Sequence, residues 1–527
     1  MGGRWPRLSR PIQVRHRVVP AVAALAAVAL APGCGSDRVA STHPAAQVEA
    51  LTAADVGTLL LQAVEQADRL DESVVVAVTD REGVILGIYR MTGTLVVETG
   101  PYLPPVSPGP QGTLADAAVR KARTAAYLSS DQHGFTTLTA CYITRDHFPP
   151  GLENLPGGPL YGVPFSSLAG GDIQPRGNGL DGAPGGVPVF KNGVLAGGIG
   201  VAGGSDSGSF DLPLCGGALA DEGIALGAVH GYSVFEDERG DVIFLDGIRL
   251  LFANQPAPEA DFRFNPADLG LYGIVDPAFP VMGSPPPRFP VDGEINLGPG
   301  FDFRIRGGSM LTESEVRGII DNAAARAAVT RAAIRRPLGS PARVFITVCD
   351  VDGSILGIRR TSDATLFSFD VSAQKARTAV AFSRPGEPPG SLAAELRGLL
   401  GLAATAPLAA STRAIGFLCQ DYYPPGIDRE TLGRPVEPGP FFGLQESLGL
   451  QPHGNGITMF PGGFPLYKND VLAGAIGVSG DGVDQDDYIA AGGAAGFEPP
   501  VGIRSDRFFH DEVRLPYVKF PRRPELQ

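Results

Sequence analysis

The chain has 527 residues, 43% of them hydrophobic, which is enough for a sizeable core. Its 43 basic and 56 acidic residues leave a net charge of −13, with no Lys/Arg cluster beyond the N-terminal segment. Nucleic acid is therefore excluded as an expected partner, because neutralising phosphates needs such a cluster. Glycine (71) and proline (48) stay below the level at which disorder is the default, so folded domains with long Gly/Pro loops are expected.

The first segment has the form of an export signal. Arg4, Arg7, Arg10, Arg15 and Arg17 precede an apolar run over 18–31, shorter than the ~20 residues of a membrane span. It ends Leu30-Ala31-Pro32-Gly33-Cys34. This resembles the lipobox of bacterial lipoproteins. The resemblance implies a signal peptide over 1–33, acylation of Cys34, and an exported, membrane-anchored protein of the periplasm or cell surface. Ordinary cleavage near Ala31 is the alternative. Residues 34–47 read as a polar tether.

The rest of the sequence repeats. LTAADV at 51–56 returns as LTESEV at 311–316, and DREGVILGIYR at 80–90 as DVDGSILGIRR at 350–360. KARTA at 121–125 returns unchanged at 375–379. FPPG at 148–151 matches YPPG at 423–426, and QPRGNG at 174–179 matches QPHGNG at 451–456. PGGVPVFKNGVLAGGIGV at 184–201 matches PGGFPLYKNDVLAGAIGV at 461–478, and Arg249-Leu250 matches Arg514-Leu515. The order is the same in both halves, so two tandem copies are expected, over 48–254 and 308–520. Residues 255–307, rich in proline and glycine, read as an ordered but irregular linker.

In chain order, each copy predicts the same elements. Residues 51–70 carry apolar positions at helical spacing. Residues 74–78 and 84–89 are strands around a turn at 80–83. A second helix covers 114–128, and a loop of about 50 residues follows, too long to be idle in a compact domain. Residues 187–190 and 194–201 form a hairpin whose Asn192-Gly193 favours a type I′ turn. A closing helix covers 221–229, and 485–495 in the second copy. The order α-β-β-α-loop-β-β-α predicts an α+β fold with an antiparallel sheet between helices.

The helix carrying Ala373-Gln374-Lys375-Ala376-Arg377-Thr378-Ala379, with PGGFP at 461–465, GAIGVSG at 474–480 and Gln485-Asp486-Asp487, resembles the GlcG/HbpS haem-binding family and the C-terminal domain of PduO-type proteins. The resemblance covers most of both copies and is strongest in the second. In the first, Ser479-Gly480 becomes Ala202-Gly203, and the acidic helix start is displaced to Asp221-Glu222. The resemblance implies a profilin-like α/β/α sandwich that oligomerises. It also implies haem or corrinoid binding and, in some members, haem degradation or redox sensing.

Several residues are candidate ligand contacts. Lys121, Arg123 and Thr124, with Lys375, Arg377 and Thr378, combine cations two apart, which do not share a helix face. They form either an anion site for a propionate or other carboxylate, or ion pairs with Asp80 or Asp350 that fix the sheet. Asn455, Gly477 and Ser479 complete the set, with glycines at 474–480 serving as a ligand wall or as tight helix–sheet packing. Phe441, Phe442 and Phe460 are candidate apolar walls. His453 is the candidate iron ligand, and His147 a second one, although neither is repeated: their counterparts are Arg176 and Tyr422. Asp481, Asp484, Asp486 and Asp487 read as Ca²⁺ ligands or as a helix cap with favourable dipole charges. Cys141, Cys215, Cys349 and Cys419 are an even set that suits disulfides outside the cytoplasm, or buried free thiols.

No catalytic set recurs between the copies. The leading expectation is an extracytoplasmic binding protein for haem, another tetrapyrrole or a small ligand, its two copies packed as a pseudo-dimer. A haem-degrading or redox enzyme and a ligand-free assembly module are the alternatives.

Overall fold

The computed structural model describes residues 48–94, 113–149, 155–168, 171–176, 179–205, 218–259, 261–426, 437–444 and 454–526. The expected signal peptide, Cys34, the tether, Cys215 and His453 lie outside the described residues.

Thr52 opens α1 (Ala53–Arg69) with a capping box. Its hydroxyl accepts from the Asp55 N–H at 3.1 Å, and the Asp55 carboxylate accepts from the Thr52 N–H at 2.7 Å. Val56, Leu59, Leu60, Ala63, Val64 and Ala67 are its buried apolar face. β1 (Val75–Asp80) and β2 (Ile85–Met91) form the expected antiparallel hairpin. α2 (Leu114–Tyr127) starts from a second capping box, Thr113 with Asp116. α3 (Thr137–Ile143) interrupts the stretch expected to be loop. β3 (Gly186–Lys191) and β4 (Val194–Ala202) are joined through Asn192 (φ 53°) and Gly193 (φ 78°), as a type I′ turn requires. α4 (Leu219–Ala228) is the closing helix, and β5 (Phe244–Leu245) pairs with β6 (Ile248–Arg249) as a small ribbon.

The strands run β3-β4-β1-β2, each pair antiparallel. Val76 and Val78 of β1 pack with α1 and α4, while Val75 and Ala77 meet Ala115, Ala118 and Val119 of α2. Helices thus cover both faces, giving the expected α/β/α sandwich.

The linker departs from its expectation. After α5 (Leu269–Tyr272), β7 (Gly273–Val275) adds to β2, and β8 (Gly293–Glu294) adds to the second sheet. Strands this short carry no readable alternation, which is why a Gly/Pro-rich sequence hid them.

The second half repeats the order: α6 (Glu313–Val329), β9 (Phe345–Cys349), β10 (Ile355–Arg360), α7 (Phe367–Ser383), α8 (Leu392–Leu399), α9 (Thr412–Leu418), β11 (Gly463–Lys468), β12 (Val471–Ser479), α10 (Val483–Gly493), and the ribbon β13 (Phe509–His510) with β14 (Val513–Arg514). Its sheet runs β11-β12-β9-β10-β8. Among the described residues no helix is long and apolar enough to cross a membrane.

Ala45–Gln527 is one compact unit. Tyr127, Phe135, Ile143 and Leu180 share one apolar cluster with Phe345, Phe369, Val380 and Phe460. Charges cross the same boundary. Arg335, fully buried, holds Asp481 and Asp363 and donates to Ser130 Oγ at 3.2 Å. Arg81 holds Asp131 at 2.9 Å and also reaches Asp363.

Candidate functional site

The repeated KARTA segment lies in α2 and α7, buried against the sheets. Lys375 Nζ donates to the Val478 carbonyl at 2.8 Å and to Asp486 at 2.7 Å. Lys121 does the same with Val201 and Asp221, both at 2.8 Å. The partners are acidic residues in the first turn of the closing helices rather than Asp80 or Asp350. Burial raises the Asp486 carboxyl to about 7 against the pull of Lys375, and burial lowers Lys375. These lysines tie helix to sheet. Asp221 makes the contact in the first half that Asp486 makes in the second, so the acidic helix start, displaced in sequence, keeps its role.

Arg377 faces elsewhere, as a spacing of two demands. Its Nε donates to the Gly353 carbonyl at 3.0 Å, as Arg123 Nε does to Gly83 at 2.9 Å. Its two Nη atoms grip both oxygens of Asp172, from the long loop of the first half, at 2.8 and 2.7 Å. Asn455 accepts from Arg377 and donates to the Asp370 carboxylate at 3.2 Å. The Ser167 N–H completes Asp370 at 2.8 Å, and Gln374 Nε2 donates to the Asn455 carbonyl at 2.8 Å. Burial raises the Asp370 carboxyl to about 6, opposed by Ser167, Asn455 and Arg377. Ser167 Oγ and Gln174 Nε2 are buried without a hydrogen-bond partner.

The returning loops close over these helices. Thr378 Oγ1 accepts from the Thr458 N–H at 2.8 Å, and Thr124 Oγ1 from the Asp181 N–H at 2.7 Å. The described parts of the long loops therefore lie over the KARTA helices.

Gly477 is not a ligand wall. A Cβ there would lie 2.1 Å from the Ser372 carbonyl and 2.6 Å from the Ala376 nitrogen, so helix backbone fills the space. Ser479 is buried at the end of β12, opposite Phe345. Phe441 packs edge-on to Phe382 with centroids 5.3 Å apart, Phe460 belongs to the shared core, and Phe442 is exposed.

The acidic cluster is taken up by ion pairs and caps nothing, although Asp484 and Asp486 do lie in the first turn of α10, where negative charge suits the helix dipole. Asp481 pairs with Arg335, Asp484 and Asp487 with Arg413, and Asp486 with Lys375. The residue preceding α10 is Gly482, which offers no side chain. Cys141 is disulfide-bonded, while Cys349 and Cys419 are buried free thiols, so the even count does not extend to two bridges.

Sequence reasoning missed Asp172 and Asp370. Asp370 had a signal, a carboxylate five residues before Lys375. Asp172 had little: it sits alone in a glycine-rich loop, and the residue in the same place of the second half is Gly449.

Residues 320–495 match the model of the family described as haem degrading protein HbpS-like, so the second half carries an HbpS-like α/β/α domain. The match leaves the first half out. Among solved structures, the PduOC–heme complex is 24% identical and covers 36% of this chain and 98% of its own, with a TM-score of 0.24. Klebsiella pneumoniae protein ORFY is 23% identical over 36% of this chain and 95% of its own, TM-score 0.24. A double mutant of Streptomyces reticuli HbpS is 24% identical over 38% and 96%, TM-score 0.20. No curated protein matches the chain.

Proposed function

We propose that this is an exported protein that binds haem, or another tetrapyrrole or carboxylate-bearing small ligand, at the Arg377 cluster. One observation carries the reading: the HbpS-like segment contains Asp370, Arg377, Thr378 and Asn455, and Arg377 already holds a carboxylate through both oxygens. Those residues fit the carboxylate end of such a ligand, because a planar guanidinium supported by a half-buried amide is built for bidentate pairing. Arg377 and Asn455 would hold a propionate in the place of Asp172, with Ser167 as a further polar contact. Bound haem would supply a redox-active iron, with His453 as its proposed ligand. Arg123 would serve the corresponding place in the first half, while Lys121 and Thr124 are taken up by Asp221 and the Asp181 N–H.

Titration of the full chain with haem tests this. A Soret band should grow to saturation, and His453→Ala should shift it. Arg377→Ala should weaken binding by roughly 1–3 kcal/mol, the range for losing a charged hydrogen-bond partner. No spectral change with excess haem would remove the tetrapyrrole reading. A second reading, degradation of the bound haem, rests on the description of the matched family. Release of product on adding a reductant and oxygen separates it from binding alone.

The anchor and the pairing belong to the same proposal. Acylation of Cys34 would hold the chain at a membrane, and Cys34→Ala should leave it soluble or uncleaved in fractionation. The two halves would act as an intramolecular pseudo-dimer, supported by their common apolar cluster and the ion pairs that cross between them.

A further inference from the structure

Three acceptor groups converge just ahead of Phe148-Pro149 in the first half and Tyr423-Pro424 in the second. Asp146 and His147 precede Phe148 in the first half, and Asp421 precedes Tyr422 in the second. A carboxylate oxygen of each aspartate and a ring nitrogen of His147 all lie within 4.8 Å of one another. Asp146 and Asp421 hold the same place in the repeat, so equivalent carboxylates from the two halves meet at one point. His147 answers to Tyr422, so the meeting has one imidazole.

The hydrogen bonds around the ring fix what it offers. His147 Nδ1 lies 3.1 Å from the Leu155 carbonyl oxygen. A carbonyl only accepts, so Nδ1 carries the proton of the neutral ring and Nε2 presents a lone pair. A carbonyl behind the ring is also the usual support of a metal-binding histidine. Nε2 is 3.7 Å from Asp421 Oδ2, too long for a hydrogen bond. It suits two donors around one ion with bonds of ~2.0–2.2 Å. Arg145 lies beside Asp146 and offsets part of its charge. With a neutral ring, the four side chains still carry a net negative charge. The backbone holds the donors in place: the Phe148 N–H donates to Pro156 at 3.0 Å, the Tyr423 N–H to Glu437 at 3.0 Å, and the Gly157 N–H to Gln420 Oε1 across the halves at 2.7 Å.

We propose that Asp146, His147 and Asp421 bind one divalent first-row transition-metal ion and so bridge the two halves. One imidazole and two carboxylates suit Zn²⁺, Fe²⁺ or Mn²⁺, with the remaining positions open to water. This site is separate from the Arg377 cluster and stands whether or not that cluster binds a tetrapyrrole.

The test uses the tag-free full chain, titrated with Zn²⁺ by calorimetry and with Co²⁺ by visible absorbance. The wild type should take up one ion per chain, with a Co²⁺ d–d band at saturation. His147→Ala and Asp421→Asn should each weaken binding by at least about tenfold. Asp421→Asn keeps the side-chain shape, so it separates lost ligation from lost folding, with circular dichroism as the check. Absence of saturable binding in the wild type, or unchanged binding in both variants, would overturn the proposal.

Discussion

Asp80 ties stability to pH through one buried carboxyl. Burial, with the nearby Glu82, raises it from 3.8 to about 7, against the hydrogen bond from Val84 and the charge of Arg176. The folded chain therefore keeps a proton between about pH 4 and 7 that the unfolded chain has lost. This contribution to stability is full below the unfolded value and disappears as pH rises through the folded one. Asp80→Asn mimics the protonated form. It should be more stable than the wild type by roughly 1–3 kcal/mol at pH 8 and equal to it near pH 4, by calorimetric melting. An equal advantage at both pH values would disprove the assignment. Arg335 is the opposite kind of residue, a buried cation whose loss strands Asp363 and Asp481. Arg335→Ala should cost ~3–5 kcal/mol in urea denaturation. At this scale the sequence was informative about types and less so about partners. The two-residue spacing of Lys375 and Arg377 did send them to different surroundings. Which carboxylate each meets depends on contacts such as Arg377–Asp172, 205 residues apart in sequence, which no local pattern encodes.

The elements followed the periodicity wherever they were long enough to have one. α1, α2, the first hairpin of each sheet and the type I′ turn fall within a few residues of their predicted bounds, because caps and apolar spacing are local properties. α3 and α9 did not show, at seven residues each. Their value is positional: Thr137 and Thr412 accept from the Gly186 and Gly463 N–H groups at 2.9 and 2.8 Å, pinning the start of β3 and β11. The glycines of β4 and β12 have a comparable role, letting α2 and α7 lie directly on the strands. A Cβ at Gly200 would come within 2.0 Å of the Ala118 carbonyl, and one at Gly477 within 2.1 Å of Ser372. Gly477→Ala should force the helix outward and cost ~1–3 kcal/mol. A variant that melts with the wild type would show that the layers are looser than this geometry requires.

The linker changes where the molecule divides. β7 belongs to the first sheet and β8 to the second, and only the residues between them pass from one to the other. Glu82 still accepts from the Arg288 and Phe289 N–H groups at 2.8 and 2.9 Å, whereas the Pro290 carbonyl accepts from Arg360 at 3.3 Å. The seam is therefore near residue 290, not at 254 or 307. Fragments 48–290 and 291–527, expressed together, should co-elute as one species of full mass. A break after 254 should strip β2 of its neighbour and leave an open sheet edge prone to aggregation. Equal recovery from both designs would count against this placement. Because each end of the connection is sewn into a different sheet, it has no slack with which to act as a swivel. The two halves should then share their fluctuations as well as their core, and a calorimetric scan should show one melting transition where freely jointed domains would show two.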